Sequence, residues 1–157
     1  MKGRIDLAKR ILVTGGAGFI GSALIKSLLE NTNLEIFNID KLGYASDLRG
    51  LNTQEKIKRH HLIKLDLFNY QETIDSVKII KPDLIIHLAA ESHVDRSIQN
   101  PKNFLNSNII GTFNLLTAAK AHYETLNERR KSSFIFHHVS TDEVFGTVSN
   151  DREFSEE

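Results

Sequence analysis

The chain has no cysteine and no tryptophan, and its 157 residues include only two prolines and one methionine. Without cysteine, disulfide bonds and thiolate metal sites are excluded. Adjacent residues of a strand point to opposite faces, so His137 and His138 are not placed to share a metal ion, and we expect no metal site. Basic and acidic residues number 20 each, so the formal charge is zero and nothing indicates binding to nucleic acid.

Long apolar runs are absent as well. No stretch approaches the length of a membrane span, and residues 1–10, MKGRIDLAKR, carry charges where a signal peptide has its apolar centre. Hydrophobic residues make up 40% and charged residues 25% of the chain, which is typical of a soluble globular protein. We expect one domain over residues 1–157, located in the cytoplasm and not attached to a membrane.

Short apolar runs alternate with helical patterns along the chain. Strands are predicted at 10–14, 34–40, 61–65, 83–88 and 134–140, and helices at about 19–31, 70–80 and 101–129. Pro82 ends the second helix, because proline lacks an N–H donor and disfavours helical geometry in the residue before it. The alternation predicts an α/β fold with a doubly wound parallel sheet of the Rossmann type, right-handed crossovers and helices on both faces.

A glycine-rich turn joins the first strand to the first helix. In the stretch Ile11-Leu-Val-Thr-Gly-Gly-Ala-Gly-Phe-Ile-Gly-Ser22, three glycines, at 15, 18 and 21, have separate tasks. One allows the tight turn, one lets a pyrophosphate approach the backbone, and one lets the helix pack closely on the sheet. Free N–H groups at the helix start attract an anion. The turn therefore predicts a dinucleotide site that includes Gly15, Gly18 and Gly21, the alternative being a glycine-rich turn without a ligand.

An acid at the end of the second strand supports a dinucleotide site. Asp40 lies 19 residues after Gly21, where a carboxylate can accept hydrogen bonds from the adenosine ribose. Its charge would repel a 2′-phosphate, so the sequence predicts NAD rather than NADP. Lys41 follows directly and would soften that repulsion. The alternative is that Asp40 only caps the strand end.

Polar residues crowd the chain after the fourth strand, at an edge where open α/β sheets bind ligands. The segment is His87-Leu-Ala-Ala-Glu-Ser-His-Val-Asp-Arg-Ser97. The small Ala89 and Ala90 would let a flat cofactor lie close to the backbone. The alternative is a solvated loop of charges.

Two adjacent acids follow the fifth strand. Asp142 and Glu143 could divide acid and base work if their surroundings separate their pKa values. Thr141 could hold a substrate hydroxyl or carbonyl. Since acids favour helix N-termini, the alternative is that the pair caps the next helix.

Five blocks of the sequence resemble the extended short-chain dehydrogenase/reductase family, in particular its sugar-nucleotide 4,6-dehydratases. The blocks are 13–23, 40–45, 87–98, 108–116 and 136–146. The glycine block is shared by the whole superfamily, whereas related epimerases and decarboxylases lack the triplet Thr141-Asp142-Glu143. The likeness runs from about residue 9 to the last residue.

The resemblance implies NAD as cofactor, dTDP-glucose as substrate and, in the full-length protein, a homodimer. The implied reaction removes a hydride from C4, eliminates water across C5–C6 and returns the hydride to C6. Ser92 and Thr141 would contact the substrate, Asp142 would protonate the departing C6 hydroxyl, and Glu143 would remove the C5 proton. Besides the glycines, the implied cofactor contacts are Phe19, Ile20, Asp40, Lys41, Leu42, Gly43, Asp66, Leu67, Leu88, Ala89, Ala90, Glu91, Ser92 and Ser107.

The chain departs from the family pattern at several points. Gly43 stands where the family usually has threonine, and Phe145 replaces a usual tyrosine. The family's Tyr-x-x-x-Lys pair is missing, because none of Tyr44, Tyr70 and Tyr123 has a lysine four residues later. We therefore expect a Rossmann-type domain truncated before its substrate-binding part and inactive by itself. The alternatives are an NAD-binding half-domain without catalysis and a sugar-nucleotide epimerase or decarboxylase.

Overall fold

Five parallel strands form the centre of the fold. The structure is a computed structural model and describes residues 8–49, 51 and 58–146. The strands are β1 (Arg10–Thr14), β2 (Glu35–Asp40), β3 (His60–Lys64), β4 (Leu84–His87) and β5 (Ile135–His138). Their order in the sheet is β3-β2-β1-β4-β5, and every neighbouring pair is parallel. This order is that of the first five strands of a Rossmann-type sheet, so the predicted fold class is confirmed.

The helices match the predictions early in the chain and differ later. Both α1 (Phe19–Asn31) and α2 (Tyr70–Ile80) have the predicted bounds. The single helix predicted over 101–129 is wrong. The chain instead forms α4 (Pro101–Phe104), a π-helical segment (Leu105–Ile110), α5 (Gly111–Glu124) and, after a break, α6 (Glu128–Ser133). The break has a local cause, because the Asn127 side chain accepts a hydrogen bond from the Arg130 N–H and starts a new helix.

Two short helical elements lie outside the predicted helices. They are α3 (Val94–Gln99), which follows β4, and a 3₁₀ helix (Asp142–Phe145), which follows β5. The alternative of a solvated loop after β4 is therefore wrong over 94–99, which is helical.

The core lies on both faces of the sheet. Alternate residues of β1 belong to different clusters, as the two-residue period of a strand requires. Leu12 packs with α2 and α5, in a cluster completed by Ile39, Leu65, Leu67, Val77, Ile80, Ile85, Leu115, Ala118 and Ala119. Ile11 and Val13 pack with α1, in a cluster completed by Ile25, Leu28, Leu29, Leu34, Ile36, Leu51 and Leu84. Burial on both faces explains why β1 is an uninterrupted apolar run.

Some of the sequence predictions fall outside the described residues. These concern the charged residues 1–7 and the family likeness over 147–157. The assignment of residues 1–157 to one domain stays a prediction. In the part of the chain that the structure describes, no helix has the length and apolar character needed to cross a membrane.

Candidate functional site

The glycine turn between β1 and α1 is shaped by two close backbone contacts. Gly15 has a φ of +72°, and a Cβ there would lie 2.7 Å from the Cα of Ala89. At Gly21 a Cβ would overlap the carbonyl oxygen of Gly15 and lie 2.7 Å from the Cα of Gly16. The first contact brings the turn against the end of β4, and the second packs α1 against the turn. Two of the three tasks predicted for the glycines are thus visible in the geometry.

The N–H groups of the turn, from Gly15 to Gly18, all donate hydrogen bonds to acceptors within the protein. Gly15 donates to the carbonyl of Ile39 at 2.9 Å and Gly18 to that of Gly15 at 3.1 Å. The two residues between them donate to side chains of β2, Gly16 to Asn38 Oδ1 at 3.1 Å and Ala17 to Asp40 Oδ2 at 2.9 Å. The turn is therefore held by the protein, and its own N–H groups are not available to a ligand.

The start of α1 carries the N–H groups that remain for an anion. The first helical residues have no intrahelical acceptor, and the Gly18 N-cap provides no side-chain hydrogen bond to them. The helix dipole adds positive potential at this end. Phe19 and Ile20 are 93% and 65% exposed, so the surface around these N–H groups is open. Such a helix start can bind an anion, and the cofactor contacts of Gly18, Phe19, Ile20 and Gly21 stay a prediction.

The Asp40 carboxylate connects three segments of the chain. It is buried at the end of β2, and its Oδ2 accepts the hydrogen bond from Ala17. Its Oδ1 accepts from the Leu42 N–H at 2.7 Å and the Ser46 hydroxyl at 3.1 Å. A carboxylate offers about four acceptor positions, so about one remains for a ribose hydroxyl. Asp40 therefore positions the loops around it.

Three of the predicted cofactor residues form one polar cluster. Lys41 Nζ contacts the Glu91 carboxylate and donates to Ser107 Oγ at 2.9 Å. Glu91 is in turn tied to Asn108, whose side chain bonds both the N–H and the carbonyl of Glu91, at 2.8 and 2.9 Å. Ser107 and Asn108 both lie in the π-helical segment, a kind of turn that is frequent at functional sites. Because Glu91 neutralises Lys41, this lysine softens the charge of Asp40 less than the sequence suggested.

An open cleft of about 360 Å³ lies at the carboxyl ends of β2 and β3. Its volume is within the range of small-molecule sites. The lining residues are Lys41, Gly43, Lys64, Leu65, Asp66, Asn69 and Glu72, three of which were predicted to contact the cofactor. Leu67, also predicted to do so, is buried in the core, and its carbonyl accepts a hydrogen bond from the Asn114 side chain at 2.8 Å.

The segment after β4 begins beside the glycine turn and continues to the surface. The Leu88 N–H donates to the Thr14 carbonyl at 3.1 Å, which extends the pairing of β4 with β1. Leu88 and Ala89 are half-buried, whereas Ala90 and Ser92 are exposed. Their predicted contacts with the cofactor stay a prediction.

A buried histidine that the sequence analysis did not assign a role lies behind this segment. His87 bonds Thr14 Oγ1 through Nδ1 at 2.6 Å and Thr112 Oγ1 through Nε2 at 2.9 Å. Its ring stacks on that of His138 with centroids 5.1 Å apart. Burial lowers the pKa of His87 to about 4, with a smaller contribution from the charge of His138. His87 is therefore neutral at pH 7, and its ring connects β1 to α5.

Acidification should destabilise the protein through His87. Its pKa is about 6.5 in an unfolded chain and about 4 in the folded one, so the unfolded state binds more protons between these values. The stability gained from keeping the ring neutral is complete above pH 6.5 and is lost as the pH falls towards 4, by up to about 3 kcal/mol.

Urea unfolding of the wild type and of His87→Gln at several pH values measures this effect. His60 and His122 also have lowered pKa values and are unchanged in the variant, so the difference between the two proteins isolates His87. Equal pH dependence of the two proteins would contradict the assignment.

The triplet Thr141-Asp142-Glu143 lies just after β5, on the edge of the sheet that carries the glycine turn. Thr141 Oγ1 accepts a weak bond from the Glu143 N–H at 3.4 Å and donates to Asp142 Oδ1 at 3.3 Å. All three side chains are exposed at the start of the 3₁₀ helix. The alternative of helix capping is thus partly realised, but by Thr141, which leaves both acids facing solvent.

The chain is similar in sequence to a family of sugar-nucleotide dehydratases. The sequence model of the GDP-mannose 4,6 dehydratase family matches residues 12–157. The chain is 46% identical to the dTDP-glucose 4,6-dehydratase of Escherichia coli over 152 residues, which cover 93% of this chain and 40% of that protein. The curated relatives that it matches are thus more than twice as long, and the chain spans about 40% of their length.

Solved structures agree with the sequence comparison. The dTDP-glucose 4,6-dehydratase of Bacillus anthracis, in complex with NAD, is 30% identical with a TM-score of 0.76, and the match covers 96% of this chain and 43% of that one. A dTDP-glucose 4,6-dehydratase of Streptomyces venezuelae with NAD bound is 34% identical with a TM-score of 0.73, covering 90% and 42%.

Proposed function

The chain belongs to the GDP-mannose 4,6-dehydratase family, and from that premise we propose that it is the NAD-binding part of a dTDP-glucose 4,6-dehydratase. The observation that carries the proposal is the juxtaposition of three features at one edge of the sheet. These are the open start of α1, the buried Asp40 and the exposed acids Asp142 and Glu143. The relative and the two solved structures described above are all named dTDP-glucose 4,6-dehydratase, and both solved structures contain NAD.

The residues around the glycine turn fit NAD. The contacts at Gly15 and Gly21 fix the tight turn and pack α1 against it, which holds the start of the helix at the sheet edge where a pyrophosphate would bind. The first N–H groups of α1 would bind the phosphates, and Asp40 has an acceptor position left for the ribose. The cleft beside Lys41, Gly43 and Asp66 would take the adenine end. When bound, NAD supplies the acceptor for the C4 hydride and the donor of that hydride to C6.

The chain's own part in the reaction is proton transfer. Glu143 would take the proton from C5, and Asp142 would give one to the departing C6 hydroxyl. Because both acids are exposed, they are accessible to a substrate at the sheet edge. Thr141 and Ser92 would contact the sugar nucleotide. The triplet 141–143 favours this reaction over epimerisation or decarboxylation.

Calorimetric titration of the chain with NAD and NADP tests the proposed cofactor. We expect NAD to bind at least about tenfold more tightly than NADP. The Asp40 carboxylate repels a 2′-phosphate, and Lys41 is already neutralised by Glu91. Asp40→Asn should reduce that preference, while Asp75→Asn, a change of an exposed acid on α2, should not. Equal or tighter binding of NADP by the wild type would overturn the role of Asp40.

Two further proposals concern the whole protein. We propose a homodimer, and the support is a row of exposed apolar residues at helical spacing, Leu105, Ile109, Phe113 and Leu116, which runs along the π-helical segment and α5. The cytoplasm stays our prediction for its location.

A further inference from the structure

We propose that Asn38 is a positioning residue of the dinucleotide site: its buried amide holds the glycine turn so that the start of α1 meets the pyrophosphate. The inference rests on the proposed function, because it concerns the same cofactor. It adds a residue that the sequence analysis did not single out.

Asn38 occupies a position where an apolar residue would be expected. It is in β2, paired with Val13 of β1 and Leu62 of β3, and its side chain is fully buried. A buried amide destabilises a protein unless its polar atoms are bonded. Its Oδ1 accepts the Gly16 N–H, whereas its Nδ2 is buried without a hydrogen-bond partner among the described residues. The buried Nδ2 thus lowers the stability of the fold, whereas Oδ1 holds the turn through Gly16.

The orientation of the amide is set by the turn. If the oxygen and nitrogen exchanged places, an NH₂ group would face the Gly16 N–H, and two donors would oppose each other. The fit is close, because a Cβ on Gly16 would overlap both Asn38 Oδ1 and the Ile25 side chain. Asn38 therefore contacts the turn at a point where neither partner has room to move.

Asn38 and Asp40 act on consecutive residues of the turn. They are two positions apart on one strand and therefore on the same face, and they accept the N–H groups of Gly16 and Ala17 respectively. Both N–H groups are thereby turned towards β2 and away from a ligand. Of the N–H groups from Gly15 to Gly21, those at the start of α1 are left to bind phosphate, and their location depends on where the turn is held.

This role predicts a selective loss of affinity. Without the Asn38 acceptor the turn can move, which displaces the phosphate donors of α1. The cleft lined by Lys41, Gly43 and Asp66 does not include Asn38, so contacts to adenosine should persist. A general loss of stability would instead weaken the binding of phosphate-containing ligands and of adenosine alike.

The experiment compares NAD and ADP, which carry phosphates, with adenosine, which does not. Asn38→Leu removes the acceptor at similar volume, and Asn38→Val is a second apolar variant should the first fail to fold. Asn38→Asp keeps an acceptor for Gly16, and Leu29→Val, a core change in α1, controls for destabilisation. Calorimetry or chemical-shift titration gives the affinities, and thermal unfolding confirms that each variant is folded.

We expect the apolar variants to bind NAD and ADP about tenfold or more weakly and adenosine within about twofold of the wild type. Asn38→Asp should recover most of the loss, and Leu29→Val should show none. Unchanged NAD affinity, an equal loss for adenosine, or the same pattern in Leu29→Val would overturn the role of Asn38 while leaving the proposed function in place. A wild-type chain that binds none of the three ligands would instead overturn both.

Discussion

Replacing Gly21 by alanine should remove detectable NAD binding and lower the free energy of unfolding by about 2–3 kcal/mol. The added Cβ would overlap the carbonyl oxygen of Gly15 and lie 2.7 Å from the Cα of Gly16. Both obstacles are backbone atoms, which cannot rotate away as a side chain would. Relief requires α1 to move from the turn, and that movement displaces the N–H groups proposed to bind the pyrophosphate.

Ser27→Ala is the matched control for this variant. It introduces the same residue on the exposed side of α1, away from the turn, where alanine also favours the helix. Calorimetric titration with NAD and urea unfolding of both variants provide the two measurements. If Gly21→Ala binds NAD as the wild type does, the close packing of α1 on the turn is not needed for the cofactor, and the geometric argument for this site is wrong.

The part of the fold that the sequence predicted depends on local patterns. The bounds of α1 and α2 follow from the glycines before one helix and Pro82 after the other, and both act within a few residues. The segment 101–133 was predicted less well. A π-helical segment has the same composition as an α-helix, and the break at Asn127 rests on one side-chain cap.

The sequence allowed predictions for single residues of the candidate site, but not for contacts between residues that are distant in the sequence. Asp40 was predicted from its place at a strand end, and the structure shows it buried there with three hydrogen bonds. The contact of Lys41 with Glu91 joins residues 50 apart and exists because β2 and β4 both flank β1. The bond from Gly16 to Asn38 depends on the pairing of β1 with β2. A polar residue in a buried strand, two positions before Asp40, was the one signal available for Asn38.

For a complete dehydratase that contains this chain, the proposed function predicts the largest effects at the two acids after β5. Glu143→Gln should lower the rate of dehydration by about 10²–10⁴-fold, the usual contribution of a general base. A hydride can still leave C4 in this variant, but the C5 proton cannot be removed, so absorbance of reduced nicotinamide should build up. Asp142→Asn should slow the loss of the C6 hydroxyl by a similar factor, while exchange of the C5 proton with solvent deuterium should persist.

The two readouts distinguish catalysis from a structural role. If Asp142 and Glu143 only support the 3₁₀ helix, their replacement should cost about 1 kcal/mol of stability and leave turnover intact. Glu128→Gln, a change of an exposed acid in α6, is the matched control and should alter neither readout. Normal turnover by both variants, with earlier melting, would contradict the catalytic assignment. The opposite pattern, unchanged melting with distinct absorbance and deuterium signatures, would identify Glu143 as the base and Asp142 as the acid, since each variant would stop at a different proton transfer.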